Sequence, residues 1–211
     1  ANNTTTCTFT ITITDGQLPV ITTQPVNRTV CSGTTATFSV VATNALTYQW
    51  QQFIAGVWTN IAGATGASFS VPNPVQSMNT NTFRVNVIGL CTTVPSAAAT
   101  LFVNPLPTIS LTSSNPAVLL PGQTTSIVAN VNPTGGTFAW FKNGQPRTPT
   151  ITTGTFGNLG VDDAGTYYAV YTDLNGCVAT SANLVISAEA SDLFFVAPNP
   201  NFGQFWVRYY N

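Results

Sequence analysis

The sequence predicts an all-β fold, built as sandwiches in tandem, and three observations predict it. Only 5% of the 211 residues are Asp, Glu, Lys or Arg, against about 25% in an average soluble protein. Thr stands in their place 36 times, often alternating with Val, Ile or Phe; a chain that is 44% hydrophobic and stays wetted through Thr, Asn, Ser and Gln suits sheets with hydroxyl-rich outer faces. Short period-two segments recur between turn signals roughly every 8–12 residues, the pattern of a sandwich rather than of alternating strands and helices. Disorder is excluded by 11% aromatic content at a net charge of −1, because disordered chains are poor in aromatics and rich in charge.

Composition also narrows the function. The five cations, Arg28, Arg84, Lys142, Arg147 and Arg208, are scattered and make no phosphate-binding stripe, so no nucleic acid is expected. No apolar run approaches the ~20 residues that a bilayer span requires, so no membrane insertion is expected. The sequence lacks His, and its cysteines, Cys7, Cys31, Cys91 and Cys177, lie far apart without a C-x-x-C pair. Zinc, haem and thiol catalysis then lack their usual ligands or bases, and no cofactor, metal or catalytic residue is expected. Widely spaced Cys in a Thr-rich β chain fit an oxidising compartment and structural disulfides. The chain does not start with Met and reads as a mature or trimmed segment whose targeting information lies elsewhere.

Residues 1–15 read as one strand, with Cys7, Phe9, Ile11 and Ile13 on one face and Thr8, Thr10, Thr12 and Thr14 on the other. A lone strand is unstable and must complete a sheet. It is expected to be the last strand of an upstream sandwich module (1–18), the alternative being a donor strand that pairs with a neighbouring chain. The text from Cys7 to Asp15 resembles the closing strand of the hyalin-repeat family, another sandwich module.

Two longer segments then follow one plan. In the first, Cys31-Ser32-Gly33 precedes a strand over Ala36–Ala42 and then Tyr48-Gln49-Trp50-Gln51. In the second, Leu120-Pro121-Gly122 precedes a strand over Thr125–Val131 and then Phe138-Ala139-Trp140-Phe141. Gly to Trp is 17 residues in one copy and 18 in the other. Each copy continues with an alternating strand (Phe83–Val87; Tyr167–Tyr171), a turn holding Cys91 or Cys177, and a closing strand (Ala99–Val103; Asn183–Ile186).

Asp163-Ala164-Gly165-Thr166-Tyr167 resembles the Asp-x-Gly-x-Tyr corner of immunoglobulin domains, where the Tyr hydroxyl bonds back to the backbone at the start of strand F. Trp140, 27 residues upstream of Tyr167, stands where that family keeps its strand-C core Trp. The first copy keeps Trp50 but carries Phe83 in place of the corner Tyr, so its corner hydrogen bond is expected to be absent. Neither copy has the inter-sheet Cys pair, since Val85 and Ala169 hold the strand-F positions. The resemblance implies two immunoglobulin-like domains, 19–104 and 105–188, held by packing. Gly16–Pro19 and Asn104-Pro105-Leu106-Pro107 are the joints, stiffened by proline.

The resemblance also places the cysteines. In the immunoglobulin topology Cys31 falls in the A–B turn at one end of its domain and Cys91 in the F–G turn at the other. Seven strand residues span roughly 23 Å, whereas bridged Cα atoms lie about 4.4–6.8 Å apart. The expectation is a Cys31–Cys177 staple across the joint, with Cys91 and Cys7 left for upstream partners. Leu120 replaces Cys at the second A–B turn.

Residues 189–211 are expected to be a linker followed by a new element. Pro198-Asn199-Pro200, Gly203 and the alternating strand Phe205–Tyr209 resemble the opening of the C-terminal sorting domain of type IX secretion. That resemblance implies export across an outer membrane and a location outside the cell or on its surface; the alternative is a generic Pro/Asn turn before a strand.

Other candidate sites are thin. Asp162-Asp163 is the one adjacent carboxylate pair, but Asp163 is explained by the corner. Asp15 at a joint is too little for calcium, which takes about six to eight oxygens. Trp50 and Trp140 read as core. Trp58, after the turn Ala55-Gly56, and Phe141, alternate to Trp140, are the aromatics able to face outward and touch a carbohydrate or a partner. The expected function is a non-catalytic extracellular structural segment, a stalk or fibre subunit of a secreted bacterial surface protein, partnered by other copies of itself or other surface proteins. The alternatives are an adhesin module binding glycans or host protein, and accessory domains of a secreted enzyme.

Overall fold

The structure, a computed structural model, describes residues 17–114, 117–147, 153–189, 195–198 and 205–208. The proposed strand over 1–15, with Cys7 and Asp15, lies outside them, as do Asn199, Pro200 and Gly203 of the sorting motif. The chain forms two compact units that divide between Val103 and Asn104.

The first unit runs β1 (Val20–Thr23), β2 (Arg28–Cys31), β3 (Ala36–Ser39), β4 (Val41–Thr43), β5 (Thr47–Ile54), β6 (Val57–Asn60), β7 (Ser68–Val71), β8 (Thr82–Ile88), β9 (Thr93–Pro95) and β10 (Ala99–Asn104). One sheet has the order β2-β10-β8-β5-β6, with β9 also on β8. The other side is made of the pairs β1-β4 and β3-β7. The strand expected over Ala36–Ala42 is therefore two strands. β3 pairs with β7 and β4 with β1, and Val40, 3% exposed, sits at the change of partner, its amide bonded to the Ala67 carbonyl. Ala36, Phe38 and Val40 still alternate into the core, so the interruption alters pairing and leaves the inward face intact.

The second unit runs β11 (Thr108–Ser113), β12 (Val118–Leu119), β13 (Thr125–Asn132), β14 (Thr137–Lys142), β15 (Gln145–Pro146), β16 (Thr155–Leu159), β17 (Gly165–Thr172), β18 (Val178–Thr180) and β19 (Leu184–Ala188). Its sheets are β11-β13-β16 and β12-β19-β17-β14-β15, with β18 also on β17. The first edge of the chain thus switches sheets: β11 pairs antiparallel with β13, then β12 runs parallel to the closing strand β19. This repeats, strand for strand, the order of the long sheet in the first unit, and it is the immunoglobulin-like sandwich. Beyond it β20 (Phe195–Pro198) pairs antiparallel with β21 (Phe205–Arg208).

Local chemistry accounts for the strands. In β8 the burial alternates residue by residue, with Phe83, Val85 and Val87 inward and Arg84 and Asn86 between them. In β17 Tyr167, Ala169 and Tyr171 are fully buried in the same alternation. Two-residue hairpins close β5 onto β6 and β14 onto β15. Ala55-Gly56 and Asn143-Gly144 both take positive φ at each position, which the twist-compatible two-residue turn demands.

Each unit centres on one tryptophan. Trp50, wholly buried, packs against Phe38 and Phe69 with ring centroids 6.4 and 5.8 Å away. Its indole N–H donates to the Gly66 carbonyl at 2.9 Å. Trp140 is 2% exposed, stacks on Phe156 at 5.7 Å and donates to the Thr153 carbonyl at 3.1 Å. A buried indole needs such a partner, and in both units the loop leading to the strand after the hairpin supplies it.

Candidate binding face

The corner residues lie in the second unit. Tyr167 reaches back so that its hydroxyl donates to the Asp163 carbonyl oxygen. The Asp163 carboxylate accepts from the Gly160 amide at 3.3 Å and faces the Lys142 ammonium at 3.6 Å. Burial pushes the Tyr167 hydroxyl up to about 12, the Asp163 charge adding to the shift and Arg147 opposing it. A Cβ at Gly165 would stand 2.9 Å from Asn143 Oδ1 and 3.0 Å from Lys142 Cε, so those side chains would have to shift, and that Asn143 oxygen accepts the Thr166 amide. The Tyr167 hydroxyl and the Asp163 carboxylate are both engaged in structural contacts.

The first unit closes the equivalent corner by other means. Phe83 is buried and has no hydroxyl. The loop before β8 is tied to β10 through Asn79 Oδ1, which accepts the Val103 amide at 2.9 Å, and through Thr80 and Asn81, which exchange backbone bonds with Leu101.

The sulfur chemistry divides the cysteines. Cys31 and Cys177 are disulfide-bonded, Cys177 at 1% exposure, whereas Cys91, in the turn between β8 and β9, is an exposed free thiol. Among the described residues, no group of three or more His, Cys, Asp and Glu is arranged to hold a metal ion.

The two aromatics read as outward-facing belong to corresponding sheet faces, and their surroundings differ. Phe141 is half-buried and lies flat on Tyr168, its cross-strand partner, with centroids 4.6 Å apart and planes at 4°. That pair satisfies itself. Trp58 is half-buried in β6. Phe53, opposite it across the hairpin, packs on its ring at 5.1 Å and remains 45% exposed. The Arg84 guanidinium carbon lies 4.4 Å from the Trp58 ring centroid, a cation–π contact.

A line of amides continues from the arginine. Arg84 Nε donates to Gln51 Oε1 at 2.8 Å, and Gln51 Nε2 donates to Asn60 Oδ1 at 2.7 Å. Register explains the assembly: Gln51 stands opposite Arg84 on one side and opposite Asn60 on the other, and Phe53 stands opposite Trp58. Phe53 belongs with Trp50 and Trp58 to an aromatic group that in the sequence suggests sugar stacking, whereas Arg84, Gln51 and Asn60 carry no such motif. A signal for Arg84 is nonetheless in the text, since it alternates with the apolar residues of its strand and residues 17–103 contain no Asp or Glu.

A family model described as a domain of unknown function (DUF8696) matches residues 20–105, the first unit. No curated protein matches the sequence. Solved structures similar to the chain include an I-band fragment of titin, at 15% identity over 81% of this chain and 65% of that one, with a TM-score of 0.48. Extracellular domains 3–5 of Drosophila OTK are similar at 15% identity, over 82% and 63%, with a TM-score of 0.49. Murine CEACAM1b is similar at 13% identity over 82% of this chain and 100% of that one, with a TM-score of 0.42. At such identities and scores they add nothing to the strand order, which carries the assignment by itself. The described chain holds two immunoglobulin-like β-sandwiches in tandem.

Proposed function

We propose that the chain is a non-catalytic structural segment of a secreted surface protein, in which serial sandwiches space or assemble other parts. The observation that carries this reading is the joint. β10 ends at Asn104 and β11 begins at Thr108, so Pro105-Leu106-Pro107 alone separates the sandwiches, and two prolines restrict a three-residue connection. Disulfide bonding at Cys31 and Cys177 supports an oxidising, extracellular setting, and we propose Cys31–Cys177 as the pairing. The resemblance around Pro198, Asn199, Pro200 and Gly203 supports export by a sorting signal at 189–211.

Negative-stain electron microscopy of the native protein, taken from the cell surface or the medium, tests the reading. Regular filaments make the chain a fibre subunit, and isolated thin particles make it a stalk. A compact enzyme carrying these sandwiches as appendages overturns the structural reading in favour of accessory domains.

A further inference from the structure

The outer face of β5, β6 and β8 presents hydrogen-bond donors and no acceptor of matching charge. Arg84 uses Nε on Gln51, and Gln51, only 8% exposed, uses its amide nitrogen on Asn60. The chain of bonds therefore runs in one direction and leaves the Asn60 NH2 group, at an exposed position, as its outward end. The two terminal nitrogens of Arg84 are donors only. Residues 17–103 contain no carboxylate to meet them, Arg28 and Arg84 being the only charged side chains there. Trp58 covers one face of the guanidinium, so part of its hydration is already lost, and a guanidinium in that state gains most from a planar anion that it can grip with two parallel bonds.

Beside this donor set lies an apolar surface. Phe53 packs on Trp58 and exposes 45% of itself, the kind of ring on which the C–H face of a pyranose settles. The backbone of β5 is spent in the β5–β6 and β5–β8 ladders, so over β5 the face recognises through side chains, while β6 is the edge of the sheet. The second unit provides an internal contrast: Tyr168 and Phe141 occupy the positions of Arg84 and Gln51, stack on each other at 4.6 Å, and present no cation.

We infer that Arg84, Gln51, Asn60, Trp58 and Phe53 form a binding site for an acidic saccharide of the uronic-acid class, its carboxylate on Arg84 and Asn60 and its ring on Phe53. The inference is argued from side chains of the first unit alone and does not depend on the chain being a stalk or a fibre subunit.

Isothermal titration of the full chain with an oligogalacturonide, its fully methyl-esterified counterpart and a Glu-rich peptide tests the assignment. Saturable binding of the free acid is expected, with the ester and the peptide each weaker by about tenfold or more, the scale of one charge-assisted bidentate contact. Arg84→Met keeps an apolar stem on Trp58 and is expected to reduce binding to the level of the ester; Phe53→Ala is expected to weaken it about threefold to tenfold. Circular dichroism melting confirms that each variant folds, and amide shift mapping of the wild type is expected to trace Gln51, Trp58, Asn60 and Arg84. No saturation by the free acid, equal binding of the ester, undiminished binding by Arg84→Met, or tighter binding of the peptide overturns the proposal.

Discussion

The Tyr167 hydroxyl donates a hydrogen bond to the backbone carbonyl of Asp163, four residues upstream, at 2.5 Å. The bond pins the short 3₁₀ turn Val161–Asp163 to the start of β17. Tyr167→Phe removes it and leaves a carbonyl without its partner, at an expected cost of about 1–2 kcal/mol. The corresponding loss in the first unit is reached through a different residue: Asn79→Ala strips the Val103 amide of its acceptor and is expected to cost about 1–3 kcal/mol. Chemical unfolding followed through near-ultraviolet circular dichroism measures both.

The same hydroxyl makes the second unit sensitive to alkali. Its folded pKa, about 12, lies above the unfolded value of about 10, so the folded state holds this proton more tightly. The resulting stability is complete below about pH 10 and is lost as pH rises through about 12. Thermal melts across this range are expected to fall more steeply for the wild type than for Tyr167→Phe, which has no proton to lose there. Parallel curves would remove Tyr167 as the cause.

Gly136 admits no side chain. A Cβ there would stand 2.0 Å from the Thr172 carbonyl oxygen and 2.8 Å from the Tyr171 ring. Tyr171 holds this loop by accepting from the Gly136 amide at 2.9 Å and donating to the Pro133 carbonyl at 2.7 Å. Gly136→Ala must break that arrangement and is expected to destabilise the second unit by roughly 2 kcal/mol or more. Gly33→Ala, where nothing lies within 4 Å but φ is +84°, is expected to cost only about 1 kcal/mol of backbone strain.

Thiol chemistry separates the cysteines without unfolding. Under native, non-reducing conditions Cys91 is expected to be alkylated by a maleimide, since it is free and exposed, while peptides containing Cys31 and Cys177 stay unmodified until a reductant is added. A non-reduced peptide map then tests the proposed pairing: a Cys31–Cys177 peptide supports it, and Cys31 joined to any other cysteine rejects it.

Much of the architecture is legible because it depends on short-range pattern. Phe83-Arg84-Val85-Asn86-Val87 declares a half-buried strand in five letters, and the Gly33–Trp50 and Gly122–Trp140 spacings declare a repeat. Asn143-Gly144 was an equally plain hairpin signal for β14–β15. What eluded the text were partner changes: Val40 gives no local sign that the strand around it leaves β7 for β1.

The outer faces show the same division. That Arg84 lies between the inward-facing Phe83 and Val85 is a matter of period two, which the sequence by itself determines, as it determines that residues 17–103 carry cations and no carboxylates. Which side chains Arg84 meets was decided only by tertiary structure. Arg84 lies 26 positions beyond Trp58 in the chain and comes to rest on its ring because β5 pairs with β6 on one side and β8 on the other. One residue of slippage in either register would turn the face inside out. Alternation is a property of the backbone and is written locally. Register is fixed by the whole core at once, and with it which outward side chains meet: Phe141 with Tyr168 in one unit, Arg84 with Gln51 and the Trp58 ring in the other.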